Sequence, residues 1–298
     1  MPRGIPKAGF RRRKNGKIVH VKGSASAAQS AIIPLAVETP ETDQQIEARL
    51  AERFDVLAEL TDCAITGLTR AVIVSGPAGL GKSFTIEVAL KQWDPDQKNH
   101  TIIKGYVRPT GLYRTLYDYR HHGQVIVFDD ADSVFDDVTA LNMLKAVCDT
   151  TETRTVSYLA ETELVSAAEG DIIPRSFTFN GTIIFISNMD FDAEIDRGTK
   201  YAVHLNAMMS RAHYVDLTMR TRRDYMVRIH QVIRQGMLRQ RGLSAQAEAD
   251  VVNFLNENKD VLRELSLRIA IKVADLRKAR PDTWLRTAKT TCLRAVNL

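Results

Sequence analysis

One stretch constrains this chain more than any other: Ala71-Val72-Ile73-Val74-Ser75 followed by Gly76-Pro77-Ala78-Gly79-Leu80-Gly81-Lys82-Ser83. The first five residues are a β-branched apolar run, which reads as a strand, and residues 82–93 carry a helical pattern. The eight residues between match G-x-x-x-x-G-K-[ST] in the strand–loop–helix context that the motif requires. Its glycines let successive backbone N–H groups turn inward around phosphate, and the following helix supplies its positive end. Lys82 can neutralise β/γ-phosphate charge, and the Ser83 hydroxyl can hold Mg²⁺. Gly76, Pro77, Ala78, Gly79, Leu80, Gly81, Lys82 and Ser83 are therefore the candidate nucleotide-binding residues.

Downstream, short apolar runs at 101–107, 125–128 and 182–187 alternate with helical patterns at 110–121 and 138–149. Such alternation predicts an α/β layered core with a mainly parallel sheet flanked by helices. A helix over 42–68 precedes it, with Ile46, Leu50, Phe54, Leu57, Leu60 and Ile65 at helical spacing. From about Leu217 the strand signals stop and Arg-rich amphipathic segments follow, predicting an all-helical C-terminal domain. The expected organisation is a basic flexible tail (1–38), a linker helix (39–69), the α/β core (70–216) and the helical domain (217–298).

The run Val125-Ile126-Val127-Phe128 ends in Asp129-Asp130. A carboxylate at the carboxyl end of a strand beside a phosphate loop can hold Mg²⁺, assigned here to Asp129, and the next can orient an attacking water, assigned to Asp130. Phosphate loop, paired carboxylates, and then a strand ending in a polar residue is an order that resembles the AAA+ ATPases. That resemblance implies ATP and Mg²⁺ as ligands, ATP hydrolysis as activity, and the helical segment as a lid. Thr182–Asn188 resembles the sensor 1 strand, which would place Asn188 near the lytic water. Met208-Met209-Ser210-Arg211-Ala212 is similar to the Ser-Arg element of clamp-loader-like members and makes Arg211 the candidate arginine finger. Leu265-Ser266-Leu267-Arg268 resembles sensor 2, which would give Arg268 a lid contact to nucleotide. An arginine finger acts on a neighbour's nucleotide, so the resemblance also implies a ring homo-oligomer, a hexamer. The chain departs from the family at Asp130, where Glu is usual; one methylene less of reach weakens the hold on a water, with Asp132 as a neighbouring carboxylate able to assist.

Charge points to a polyanionic partner. Residues 1–23 carry eight Lys/Arg and no acid, 24–216 carry 16 basic against 28 acidic, and 217–298 carry 17 against 8. Basic ends of this kind suit nucleic acid, and the Arg220–Arg241 segment is expected to leave many arginines on outer faces. Lys104-Gly105-Tyr106-Val107-Arg108 stands where AAA+ rings place a pore loop, so Tyr106 either grips a polymer or packs in the sheet. Arg154–Leu159 and Ser176–Asn180 are predicted to pair as a hairpin around an acid-rich loop containing Glu161, Glu163, Glu169 and Asp171. No apolar stretch approaches the length needed to span a bilayer. Three scattered cysteines and scattered histidines suit neither a disulfide framework nor a transition-metal site. A reducing cytoplasm, that of the host if the chain is phage-encoded, is the expected compartment. The preferred reading is a DNA-directed AAA+ ATPase resembling phage replication or recombination accessories. A superfamily 3 helicase, a protein remodeller, with a protein partner for its tail, and a non-catalytic ATP-dependent scaffold stay open as alternatives.

Overall fold

The helix that opens the core is fixed at its start by a reciprocal cap. The Thr42 hydroxyl accepts from the Gln45 backbone N–H at 3.3 Å while the Gln45 side chain accepts from the Thr42 N–H at 2.8 Å, which satisfies two of the donors that a helix start leaves orphaned. This helix, α1 (Asp43–Ile65), buries Ile46, Leu50, Phe54 and Leu57 on one face. The computed structural model describes residues 10–12, 18–20, 41–159 and 163–295. It divides into two units, 1–40 and 41–298.

In the first unit, β1 (Phe10–Arg12) and β2 (Ile18–His20) pair antiparallel, Phe10 opposite His20. No strand is expected there from periodicity; the signal that could have found it is Asn15-Gly16, a dipeptide favoured in tight hairpins. The remaining tail, expected to be flexible, lies outside the described residues, as does Glu161 of the acid-rich loop.

In the second unit, α1 is followed by β3 (Ala71–Ser75), α2 (Lys82–Trp93), β4 (His100–Lys104), α3 (Pro109–Asp118), β5 (Val125–Asp129) and α4 (Val138–Val147). Then come β6 (Thr155–Ser157), β7 (Ser176–Thr178), β8 (Thr182–Ser187), α5 (Phe191–Asp196), α6 (Ala202–Met209) and β9 (His213–Asp216). Helices α7 (Arg222–Arg234), α8 (Met237–Gln240), α9 (Ala245–Glu257), α10 (Leu267–Ala279) and α11 (Trp284–Cys292) close the chain. Five strands form one parallel sheet in the order β4-β5-β8-β3-β9. β6 and β7 pair antiparallel as the expected hairpin.

Alternation along the strands builds two apolar layers. Ile73, Ile126, Phe128, Ile183 and Phe185 pack on one face with α3 and α4 residues such as Leu112, Leu116 and Leu144. Val72, Val74, Val125, Val127, Ile184 and Ile186 pack on the other against α1 and α2 through Leu50, Leu57, Ile86 and Leu90. Burying each such side chain stabilises the fold by about 1.5–3 kcal/mol. The edge strand β9 escapes a sequence reading because it has four residues and only Val215 is buried. A third apolar cluster, with Ile229, Ile233, Val251, Phe254, Leu262, Ile269 and Val273, holds the C-terminal helices together.

The outer-face expectation for the arginines of 220–241 holds at Arg220, Arg222, Arg223, Arg234, Arg239 and Arg241, all exposed, and fails at Arg228. Arg228 is buried, and Arg223, Arg234, Arg239 and Arg241 are tied to Asp43, Glu47, Glu248 and Asp275. Asp43 and Glu47 of α1 and Asp275 of α10 are remote in sequence from their partners, so those three pairings are a tertiary effect.

Candidate nucleotide-binding site

Sheet order gathers the candidate residues. β3, β8 and β5 are neighbours, with Ser75 opposite Ser187 and Asp129 opposite Ile186, so the segments leaving their carboxyl ends meet at one edge. In open parallel sheets this edge is where ligands bind.

The loop from Gly76 depends on residues with left-handed freedom. Gly79 has φ +75°, and a Cβ there would come 2.9 Å from the Ser266 Cβ. Leu267 N–H donates to the Gly79 carbonyl at 2.7 Å, so the start of α10 is docked directly on the loop. Arg268 is exposed, and its Cδ would lie 3.5 Å from the same Cβ.

Lys82 is only 5% exposed. Its Nζ donates to the carbonyls of Gly76 and Pro77 and to Asn188 Oδ1 at 3.0 Å. Burial pushes its pKa down to about 8, opposed by the carboxylates Asp130, Asp129 and Asp132; nearby Arg268 adds to the lowering. Ser83 Oγ donates to Asp129 Oδ1 at 2.8 Å. Asp129 is buried, and its second oxygen faces Lys104 Nζ at 3.0 Å. Lys104 also donates to Glu87 at 2.8 Å, and the bonds to Glu87 and Asp129 hold its pKa above the usual lysine value.

Asp130 has φ +53°, a conformation few non-glycine residues adopt, and one that concentrates at functional sites. It is exposed, and its Oδ1 accepts from Asn188 Nδ2 at 2.6 Å. Asn188 thus bridges Lys82 and Asp130. Asp132 accepts from Ser187 Oγ at 2.6 Å, and burial raises its pKa.

Lys82, Ser83, Asp129, Asp130 and Asn188 are therefore brought together, with Arg268 at the loop. Arg211 is not among them. It precedes β9, whose first residue, His213, is opposite Val72 at the amino end of β3, whereas the loop leaves the carboxyl end. Its Nη1 donates to the Ala207 carbonyl at 2.7 Å and its Nε lies 3.8 Å from Asp149. Tyr106 is 77% exposed, which removes the sheet-packing alternative; Val107 is the buried neighbour, its N–H donating to Ser133 Oγ at 3.1 Å. Two contacts had no sequence signal: the Lys104 ammonium on Asp129, and Arg228 with Phe54 beside Gly81.

A buried lysine inside a glycine loop and a serine–aspartate pair at its rim sit on a parallel-sheet α/β core flanked by helices, with a C-terminal helical segment, the fold class expected from the sequence. No protein-family model matches the chain. The chain belongs to the family of an uncharacterized 36.7 kDa protein of the nrdC–mobD intergenic region of Enterobacteria phage T4, 38% identical over 249 residues that cover 83% of this chain and 75% of the phage protein. Among solved structures, domain III of the replication initiation protein DnaA from Thermotoga maritima has TM-score 0.48 at 13% identity, covering 82% of this chain and 92% of that one. A RuvB mutant from Thermotoga maritima has TM-score 0.46 at 11% identity, covering 84% and 72%. Orc1 of Aeropyrum pernix, solved with DNA, has TM-score 0.44 at 11% identity, covering 80% and 64%. At these scores they are likenesses of fold alone.

Proposed function

We propose that the chain is a Mg·ATP-binding ATPase acting as a ring oligomer, a hexamer, on nucleic acid in replication, recombination or repair. The observation that carries the reading is the convergence of Lys82, Ser83, Asp129, Asp130 and Asn188 at one sheet edge. Gly76–Ser83 cradles the phosphates, and Lys82 neutralises them. The Ser83 hydroxyl and the Asp129 carboxylate are hard oxygen donors 2.8 Å apart, a pair that suits Mg²⁺. When bound, the ion neutralises phosphate charge. Asp130 and Asn188 orient a water for in-line attack on the γ-phosphorus; the bond from that phosphorus to the β–γ bridging oxygen breaks, ADP leaves, and the water's proton passes to Asp130 or to an oxygen of the γ-phosphate. Arg268 contacts the nucleotide from the lid.

Arg211 stands at the other end of the sheet, about 15 Å away along a five-residue strand, so a role for it as arginine finger requires a neighbouring subunit's site. Nucleic acid is supported by Arg263, Arg286, Lys289 and Arg294, exposed cations at and around α11 with no ion pair among the described residues. Arg263 and Arg294 are brought together there by the Leu262–Leu293 bridge. Among the described residues no helix is long and apolar enough to cross a membrane, and the host cytoplasm is the compartment this reading assigns. A second reading, a protein remodeller with a protein partner, draws on the exposed Tyr106 beside Gly105.

The test measures phosphate release by wild type and Asp130→Asn with single-stranded DNA, duplex DNA or unfolded protein added, alongside negative-stain imaging with a non-hydrolysable ATP analogue. Turnover stimulated by DNA, lost in the variant, and rings in the images are the expected results. Stimulation by unfolded protein alone selects the remodeller, and turnover unaffected by Asp130→Asn removes the catalytic assignment.

A further inference from the structure

One buried cation beside the loop has no counter-ion. Arg228, midway along α7, is 6% exposed. Its guanidinium carbon stands 3.4 Å over the centroid of the Phe54 ring. Nη1 donates to Gln231 Oε1 at 2.8 Å, and Nε reaches the Leu80 carbonyl only at 3.4 Å. Among the described residues Nη2 donates to nothing, and no carboxylate pairs with the guanidinium. Burial lowers the pKa to about 10, opposed by the charge of Asp55.

A cation taken from water without a carboxylate is costly, and stacking on an aromatic ring offsets only part of it. Other arginines of α7 show the usual solution, Arg223 on Asp43 and Arg234 on Glu47. The position of Arg228 is what sets it apart. A Cβ on Gly81 would lie 3.6 Å from Arg228 Nη2, 3.6 Å from Leu267 Cδ1 and 4.0 Å from Phe54 Cε1. Gly81, at φ +102°, is the N-cap of α2. The unused N–H groups of a nine-tenths-buried arginine therefore stand against the same helix start whose backbone N–H groups favour an anion.

We infer that Arg228 is a ligand-binding residue of this site: its free guanidinium edge holds the phosphate chain of a nucleoside di- or triphosphate on the Leu80–Gly81 flank of the loop, tying α7 to the bound nucleotide. The inference rests on the nucleotide reading above. Lys82 and Asp130 are joined through Asn188, and among the described residues Arg228 bonds to none of the three. Arg228 thus takes a phosphate common to ADP and ATP and stands apart from bond cleavage.

Full-length wild type, Arg228→Gln, Arg228→Lys and Lys82→Ala are titrated with fluorescent analogues of ATP and ADP in Mg²⁺, and nucleotide-free melting temperatures are measured in parallel. Arg228→Gln is expected to lose about tenfold in affinity, the scale of a hydrogen bond to a charged group, equally for both nucleotides, with no fall in nucleotide-free melting temperature. Wild-type affinity for both nucleotides, with a lowered melting temperature, makes Arg228 a clamp between α7 and Phe54 and overturns the inference. A loss confined to ATP overturns it too, because it places the contact at the γ-phosphate. If Arg228→Gln does not fold, Arg228→Lys keeps charge and stem; a fewfold loss for both nucleotides supports the inference and unchanged affinity sinks it. Failure of wild type to bind either nucleotide removes the nucleotide reading itself. Binding by wild type and Arg228→Gln alike, lost only in Lys82→Ala, removes the Arg228 inference alone.

Discussion

Lys82 couples the stability of the nucleotide-free protein to pH in a calculable way. Burial brings its pKa from 10.5 to about 8, a difference corresponding to about 3 kcal/mol held against the charged side chain in the fold. The sign follows from proton counting. Between pH 8 and 10.5 the unfolded chain still binds the proton that the folded chain has released, so this group makes stability rise with pH across that window. Below pH 8 both states are protonated and the penalty is present in full; above 10.5 neither is and it is gone. Replacing Lys82 by Met removes the titration while keeping the stem. Urea unfolding of nucleotide-free wild type and Lys82→Met from pH 7 to 10.5 should show wild type gaining about 3 kcal/mol relative to the variant. Nucleotide reverses the preference, because phosphate charge stabilises the ammonium: affinity of wild type for Mg·ATP should fall as pH rises through about 8. Parallel stability profiles for the two proteins, or an affinity flat from pH 7 to 9, refute the reasoning.

Ser83→Ala removes one of the two oxygen donors paired at 2.8 Å, so the Mg²⁺ concentration for half-maximal turnover should rise roughly tenfold while metal-free nucleotide binding, read by fluorescence, changes little. Arg211→Ala should leave nucleotide affinity intact and reduce turnover about 1000-fold, and mixing it with Lys82→Ala should restore part of the rate, since each variant supplies what the other lacks across an interface; no recovery on mixing speaks against a shared site. Charge reversal at Arg286 and Lys289 should weaken DNA binding in a titration over salt and lower the slope of log affinity against log salt by about 2–4, while turnover without DNA holds; an unchanged slope places the nucleic-acid surface elsewhere.

The sequence alone determined the parts that depend on local pattern. The strand–loop–helix of 71–93 was legible because glycine freedom, a β-branched run and a helix start are all adjacent in the chain. The apolar runs of β5 and β8 were legible because both faces are buried and the pattern is continuous. Tertiary structure decided what depends on partners remote in sequence. β9 becomes a strand by pairing with β3, since its own four residues carry too little apolar signal. Lys104 meets Asp129 because β4 and β5 lie in register, and Asn188 reaches both Lys82 and Asp130 because β8 lies between β3 and β5. The arginine-rich helix α7 keeps Arg222, Arg223 and Arg234 exposed, as its pattern predicts, but turns Arg228 inward onto Phe54 and the loop and pairs Arg223 and Arg234 with acids of α1, which its pattern does not show. Charge in a sequence counts residues; whether that charge meets solvent, a carboxylate or a ligand depends on which helix packs beside it.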